Sequence, residues 1–148
     1  MKYITFTIPC YNSENYMRRC VDSLLVGGED VEILIIDDGS SDRTGAIADE
    51  YEMLYPNIVK AVHKPNGGHG SGVNKGLELA HGLYYKVVDS DDWFDHDAYL
   101  KMLDKIKSFL PARMHRSGKQ SVKIVSEKKI CQEAVLRFSK RNRKNSRI

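Results

Sequence analysis

The densest chemistry in this sequence lies at Asp89-Ser90-Asp91-Asp92, where Asp89, Asp91, Asp92, Asp95 and Asp97 place five carboxylates within nine residues. Two such charges about 4 Å apart repel by about 4 kcal/mol at an effective dielectric near 20, and by roughly 1 kcal/mol in open water. A hard divalent cation offsets that repulsion. Mg2+ or Mn2+ takes oxygen ligands, and Mg2+ commonly uses one or two carboxylates and leaves its other positions to water and substrate phosphate. The competing account is a solvated acidic turn. For Asp95 and Asp97, at the start of a helical segment, attraction to the helix dipole is explanation enough. An EF-hand does not fit, because counting from Asp89 puts Phe94 where glycine is required and Leu100 where glutamate is required.

Three further segments carry recognisable chemistry. Asp37-Asp38-Gly39-Ser40-Ser41-Asp42 follows an apolar run, and an acid at a strand end can hydrogen-bond a base or ribose, although Asp-Gly-Ser is also an ordinary turn and cap. Asn66-Gly67-Gly68-His69-Gly70-Ser71-Gly72 lets backbone N–H groups approach an anion at a helix start, or is simply a flexible loop. It matches neither the P-loop nor the dinucleotide pattern. Lys64 and Lys75 flank it, available for phosphate charge or merely solvated, and His69 sits within it as a donor to phosphate or sugar. Tyr11, just after Pro9, presents an aromatic face to stack on a base, with core packing as the alternative.

What must position these residues is a parallel sheet. β-type runs at Tyr3 to Ile8, Val31 to Ile36, Ile58 to Val62 and Tyr84 to Val88 alternate with helical spacing at about Glu14 to Leu25, Thr44 to Leu54, Val73 to Ala80 and Asp97 to Leu110. Ser13 is the expected N-cap of the first helix. The inner face of the fourth is expected to hold Tyr99, Leu100, Leu103, Ile106 and Leu110. A β-α-β-α-β-α-β-α order predicts an α/β fold, Rossmann-like and three-layered, with helices on both faces of a mainly parallel sheet. In such a fold ligands bind beyond the C-terminal strand ends. Every chemically unusual segment falls there, whereas Val26-Gly27-Gly28-Glu29-Asp30 and His81-Gly82, at the other edge, read as plain turns.

Charge divides the chain. Residues 1–110 carry 11 Lys and Arg against 18 Asp and Glu, and residues 111–148 carry 12 against 2. The reading is therefore a site-bearing domain over 1–110 and a basic tail over 111–148, as one amphipathic helix from about Ser126 or as disordered chain. Such a tail suits peripheral contact with an anionic membrane surface or RNA phosphates, or is unrelated sequence after an interrupted gene. No apolar run approaches the roughly 20 residues of a membrane span. No signal-peptide core precedes Pro9, and the three cysteines form no C-x-x-C pair, so the expected location is cytoplasmic, or at the inner face of the membrane.

Taken in order, Pro9-Cys10-Tyr11-Asn12-Ser13-Glu14, Glu32 to Thr44, Asn66 to Gly76, and Lys86-Val87-Val88-Asp89-Ser90-Asp91-Asp92-Trp93 resemble the nucleotide-binding half of family 2 glycosyltransferases, inverting enzymes of the glycosyltransferase A-type fold. The resemblance covers about residues 1–110. It implies a nucleotide-diphosphate sugar donor, usually a UDP-sugar, contacted by Pro9, Tyr11, Glu14, Asp38, Gly68, His69, Lys75 and Asp89. It assigns Asp91 and Asp92 to Mg2+ or Mn2+ on the diphosphate, with Asp89-Ser90-Asp91 as the family's D-x-D signature. Where many members carry Ala-Arg-Asn, this chain has Gly72-Val73-Asn74.

The family's acceptor is a glycan or lipid-linked hydroxyl, deprotonated by a carboxylate for in-line, inverting attack at the anomeric carbon in cell-surface polysaccharide synthesis. That base comes from a second half after the D-x-D strand. No catalytic residue is assigned here, and the expectation is an incomplete, weakly active transferase. Two other readings stand beside it: a noncatalytic nucleotide-binding module, and a tether in which the basic tail dominates, with nucleic acid the less favoured partner.

Overall fold

The computed structural model describes residues 1–109 together with the short strand Lys123–Ile124. Strands β1 (Ile4–Cys10), β2 (Val31–Asp38), β3 (Val59–Lys64) and β4 (Tyr84–Val87) alternate with helices α1 (Met17–Leu25), α2 (Thr44–Leu54), α3 (His69–Leu79) and α4 (His96–Ser108), and β5 is Lys123–Ile124. All pairings are parallel, in the spatial order β3-β2-β1-β4-β5. The chain steps outward from β1 to β3 and then returns to the other side of β1. The strand order therefore reverses between β1 and β4, where a parallel sheet opens a crevice at its C-terminal edge. The expected tail helix and Leu110 lie outside the described residues, and β5 was not anticipated in the basic segment.

Burial on both faces explains the continuous apolar strands: Ile4, Phe6, Ile8, Ile33, Leu34, Ile35 and Ile36 are all buried. On one face, Ile4, Phe6, Ile8, Ile33 and Ile35 join α1, α2 and α4 in a single core through Met17, Cys20, Val21, Leu24, Ile47, Ala48, Tyr99, Met102, Leu103 and Ile106. Phe6, Phe94 and Tyr99 meet as an aromatic trio with ring centroids 5.3 to 5.7 Å apart, and the Tyr99 hydroxyl donates to the Leu24 carbonyl at 2.8 Å. On the other face α3 lies almost directly against β1. A Cβ on Gly76 would sit 2.2 Å from Thr7 Cγ2, and one on Gly72 would sit 3.3 Å from Pro9 Cβ. Small residues at this four-residue spacing let the helix backbone reach the sheet.

Three expectations are corrected. α1 starts at Met17 rather than near Glu14, with Tyr16 and not Ser13 at its N-cap. α3 starts at His69 rather than Val73, because the glycines at 72 and 76 serve helix packing. On α4, Leu100 is exposed and Met102 takes its place inside.

Candidate functional site

The loops after β1 and β2 are laced together by short side chains. Asn12, at φ 47°, accepts from the Ser41 N–H through Oδ1 at 2.9 Å, and its own N–H donates to Ser40 Oγ at 3.0 Å. Asparagine is among the few residues that tolerate this left-handed backbone. The Ser13 N–H donates to Thr44 Oγ1 at 2.7 Å, and the Glu14 N–H to Asp42 Oδ2 at 3.2 Å. Glu14 Oε2 in turn accepts from the Arg43 N–H at 3.0 Å, and Asp42 Oδ1 from the Thr44 N–H at 2.9 Å, so both acids bind backbone N–H groups where α2 begins. Burial opposes the Asp42 charge, but its bonds from Thr44 and Glu14 hold the carboxyl below the ordinary range.

Asp38 closes β2, and its buried carboxylate is built into the glycine segment. Oδ1 accepts from Lys64 Nζ at 2.6 Å and the Gly67 N–H at 2.9 Å, and Oδ2 accepts from the Gly68 N–H at 2.8 Å. Desolvation raises its carboxyl, but Lys64 and the two N–H groups outweigh that and leave it lowered. The glycine segment receives an anion through its backbone. That anion is the protein's own Asp38. Gly68, at φ 88°, then turns the chain into α3.

α1 and the loop before it fix the acidic turn after β4. Ser13 Oγ and Ser90 Oγ lie 3.0 Å apart, Cys20 Sγ donates to the Asp89 carbonyl at 3.6 Å, and Ser23 Oγ accepts from the Phe94 N–H at 3.0 Å. The Arg19 guanidinium lies 3.3 Å from the Trp93 ring centre. The Asp92 N–H donates to the Asp89 carbonyl at 3.0 Å, closing a tight turn. The turn leaves Asp89, Asp91 and Asp92 exposed, with one ligand oxygen from each lying within 4.8 Å of the others. Burial first, and then the charges of Asp91 and Asp89, push the Asp92 carboxyl upward, with Lys86 in partial compensation. Three hard oxygen donors this close suit a divalent ion.

Pro9, Cys10, Tyr11, Ser13, Tyr16, Asp38, Asn66, Gly68, His69 and Ser90 line one open cleft of about 240 Å³. It sits at the reversal point between β1 and β4. Pro9, Tyr11, Asp38, Gly68 and His69 therefore share a single space, and Ser90, between Asp89 and Asp91, brings the acidic turn to its rim. Tyr11 is 54% exposed and Tyr16 42%, which removes core packing as the account of Tyr11. Glu14 and Lys75 are not among the lining residues: Glu14 is engaged at the start of α2, and Lys75 pairs with Glu78 one turn along α3 at 3.3 Å. Cys10 lies buried in the cleft floor, where desolvation and then Asp37 push its thiol up to about 12, so it stays neutral.

Sequence reasoning did not find the partners of the paired acids. Asp37↔His63 and Asp38↔Lys64 are register neighbours across β2 and β3, and each acid bonds the basic side chain opposite. The signal was the dipeptide His63-Lys64 ending one strand as Asp37-Asp38 ends another, visible only once the register is known.

The family model for glycosyl transferase family 2 matches residues 5–147. The chain is 40% identical over 101 residues to the putative glycosyltransferase EpsH of Bacillus subtilis (strain 168), covering 68% of this chain and 29% of that protein. It is 38% identical over 102 residues to a poly(ribitol-phosphate) beta-glucosyltransferase of Bacillus spizizenii, covering 66% of this chain and 16% of that one. Among solved structures, S. aureus TarS 1-349 in complex with UDP-GlcNAc superposes with a TM-score of 0.62 at 29% identity, over 73% of this chain and 32% of that one. The chain thus spans about a third or less of each of these proteins.

Proposed function

Because this chain belongs to glycosyl transferase family 2, we propose that its cleft binds a nucleotide-diphosphate sugar, a UDP-sugar in particular, for transfer to an acceptor hydroxyl with inversion. The observation that carries this reading is one cleft lined by Tyr11, Asp38 and Ser90, with Asp89, Asp91 and Asp92 grouped in the same turn as Ser90. A carboxylate has about four lone-pair directions. Three on Asp38 are filled, two of them at Oδ1, and the remaining one at Oδ2 accepts an imide N–H. Uracil and guanine present such a donor and cytosine does not. The exposed Tyr11 ring supplies a face for the base. The similarity to a UDP-GlcNAc-bound structure supports uracil, and the relative named for poly(ribitol-phosphate) glucosylation supports a cell-surface polymer as acceptor.

Asp91 and Asp92, with Asp89, would hold Mg2+ or Mn2+, which when bound offsets charge on the leaving diphosphate. The chain's own residues hold the base at Asp38 and Tyr11, fix the acidic turn through Ser13 and Ser90, and keep Cys10 neutral in the floor. The described residues supply donor chemistry only. Asp38 is committed to three donors and Asp89, Asp91 and Asp92 are grouped for a cation, so none of these four is left to take the acceptor's proton. In this reading that base belongs to residues outside those described, and residues 1–110 by themselves act as a donor-binding half. Calorimetry with UDP-GlcNAc, with and without Mn2+, is expected to show metal-dependent binding that Asp91→Asn removes. Binding indifferent to metal, or unchanged by that substitution, defeats the assignment.

A further inference from the structure

His63 sits at the end of β3 with each ring nitrogen against a carboxylate: Nδ1 is 3.0 Å from Asp37 Oδ2 on β2, and Nε2 is 2.8 Å from Asp49 Oδ1 on α2. A neutral imidazole has one N–H, so it can serve only one of these acceptors, whereas the imidazolium serves both. The two acids differ in surroundings. The Asp37 side chain is 10% exposed and that of Asp49 59%. Asp37 and Asp38 follow one another at the end of β2 and so project to opposite faces of the sheet, Asp37 toward α2 and Asp38 toward the start of α3, and each meets a basic side chain on β3.

From Asp37 the contacts lead directly to the cleft. Its Oδ1 accepts from the Ser40 N–H at 3.1 Å, and Ser40 Oγ accepts from the Asn12 N–H, beside Tyr11. Gly45 keeps the space open, since a Cβ there would lie 2.8 Å from Asp37 Oδ2 and 3.4 Å from the His63 ring.

We propose that the His63 imidazolium is a positioning residue for the base subsite: through Asp37 it sets the Ser40 and Asn12 loops that carry Tyr11, and it supplies the countercharge for the buried Asp37 carboxylate. The proposal rests on the donor-site reading above. The charged groups facing His63 are Asp37 from β2 and Asp49 from α2. On its own strand Lys64 is turned to Asp38 and Lys60 to Glu52. Hydrogen bonds to Asp37 and then Asp49 raise the imidazolium's pKa above the ordinary 6.5. The strut is therefore complete below that ordinary value and is lost as pH rises through the raised one. Deprotonation removes the countercharge from Asp37 and leaves a single imidazole N–H for the two acids to share.

The test is binding of UDP-GlcNAc, whose phosphates do not titrate in this range, at saturating Mg2+ from about pH 6 to about pH 8.5. Wild-type affinity is expected to fall by about three- to tenfold across the range, the scale of one charge-assisted hydrogen bond. His63→Gln is expected to bind with the weaker affinity at every pH. Asp49→Asn, at an exposed position that leaves the fold intact, is expected to move the fall to lower pH. A His63→Gln protein that keeps wild-type affinity and its pH profile, or an Asp49→Asn profile that does not move, overturns the proposal, whatever either does to thermal stability. Tyr11→Ala separates the two levels: weakened by Tyr11→Ala but indifferent to His63, the donor site stands and the strut fails, whereas no binding by the wild type, or none lost in Tyr11→Ala, overturns both.

Discussion

The two edges of the sheet handle charge in opposite ways. At the N-terminal edge, Glu32 on β2 is nearly enclosed and fully engaged: Oε2 accepts from Thr5 Oγ1 at 2.6 Å and the His81 N–H at 2.9 Å, and Oε1 meets His81 Nδ1 at 2.8 Å. Thr5 Oγ1 accepts in turn from the Gly82 N–H at 2.9 Å. Nearby, Lys107 on α4 pairs with Asp30 and lies 5.6 Å from the Tyr3 ring centre. At the C-terminal edge, three carboxylates stand exposed and close together, beside a cleft lined by two exposed tyrosines. Paired charge in a close-packed edge serves the fold. Grouped exposed carboxylates at the other edge are oxygen donors turned to solvent, where a cation can reach them.

The largest expected effect comes from the closed edge. A Cβ on Gly82 would sit 2.5 Å from the Thr5 nitrogen and 2.7 Å from the Ile4 carbonyl carbon, backbone atoms that cannot move aside singly. Gly82→Ala should cost about 3 kcal/mol in denaturant unfolding while the surviving folded protein binds UDP-GlcNAc as before. Next comes the open edge: Asp91→Asn should weaken Mn2+-dependent donor binding by about tenfold or more in calorimetry, with no loss of melting temperature. If the two substitutions exchanged effects, the contrast between the edges would collapse.

Sequence alone carried the strand and helix order, because strands buried on both faces need unbroken apolar runs and each parallel crossover needs a helix. α2 falls at Thr44–Leu54 as expected, and Asp38, Tyr11, Gly68 and His69 do meet. Less legible was the division of labour within the motifs. Glu14, Ser13 and Asp42 have the residue types of ligand contacts, yet they tie loop backbone, a role that depends on which loops become neighbours. Gly72 read as loop because glycine is a poor helix former, and only the approach of α3 to Thr7 and Pro9 explains why Gly72 and Gly76 stand in that helix. His63 and Lys64 looked like ordinary strand-end residues until the register set them opposite Asp37 and Asp38.

A smaller effect sharpens the same contrast. Glu32→Gln keeps the shape but removes an acceptor from a carboxylate that meets three donors, and should cost about 1 kcal/mol of unfolding free energy with no change in donor affinity. A change in affinity would mean that the closed edge is coupled to the cleft, which the division of charge does not provide for.

The smallest effect concerns Asp92, and its sign separates the edges most cleanly. Burial and its acidic neighbours raise its carboxyl above the ordinary 3.8, so the folded state holds that proton more tightly than the unfolded chain does. This contribution favours folding below the ordinary value and is lost as pH rises through the raised one, leaving the full repulsion at neutral pH. Asp38 and Asp42, whose carboxyls are lowered, act in the opposite sense, so the informative quantity is the difference between proteins. Without divalent ions Asp92→Asn should melt slightly above the wild type at neutral pH, with the gain fading on acidification. Added Mg2+ should raise the wild type by mass action and the variant by less. Melting curves that stay parallel through pH and Mg2+ would mean that the three acids do not act together, and the open edge would lose its reason for staying open.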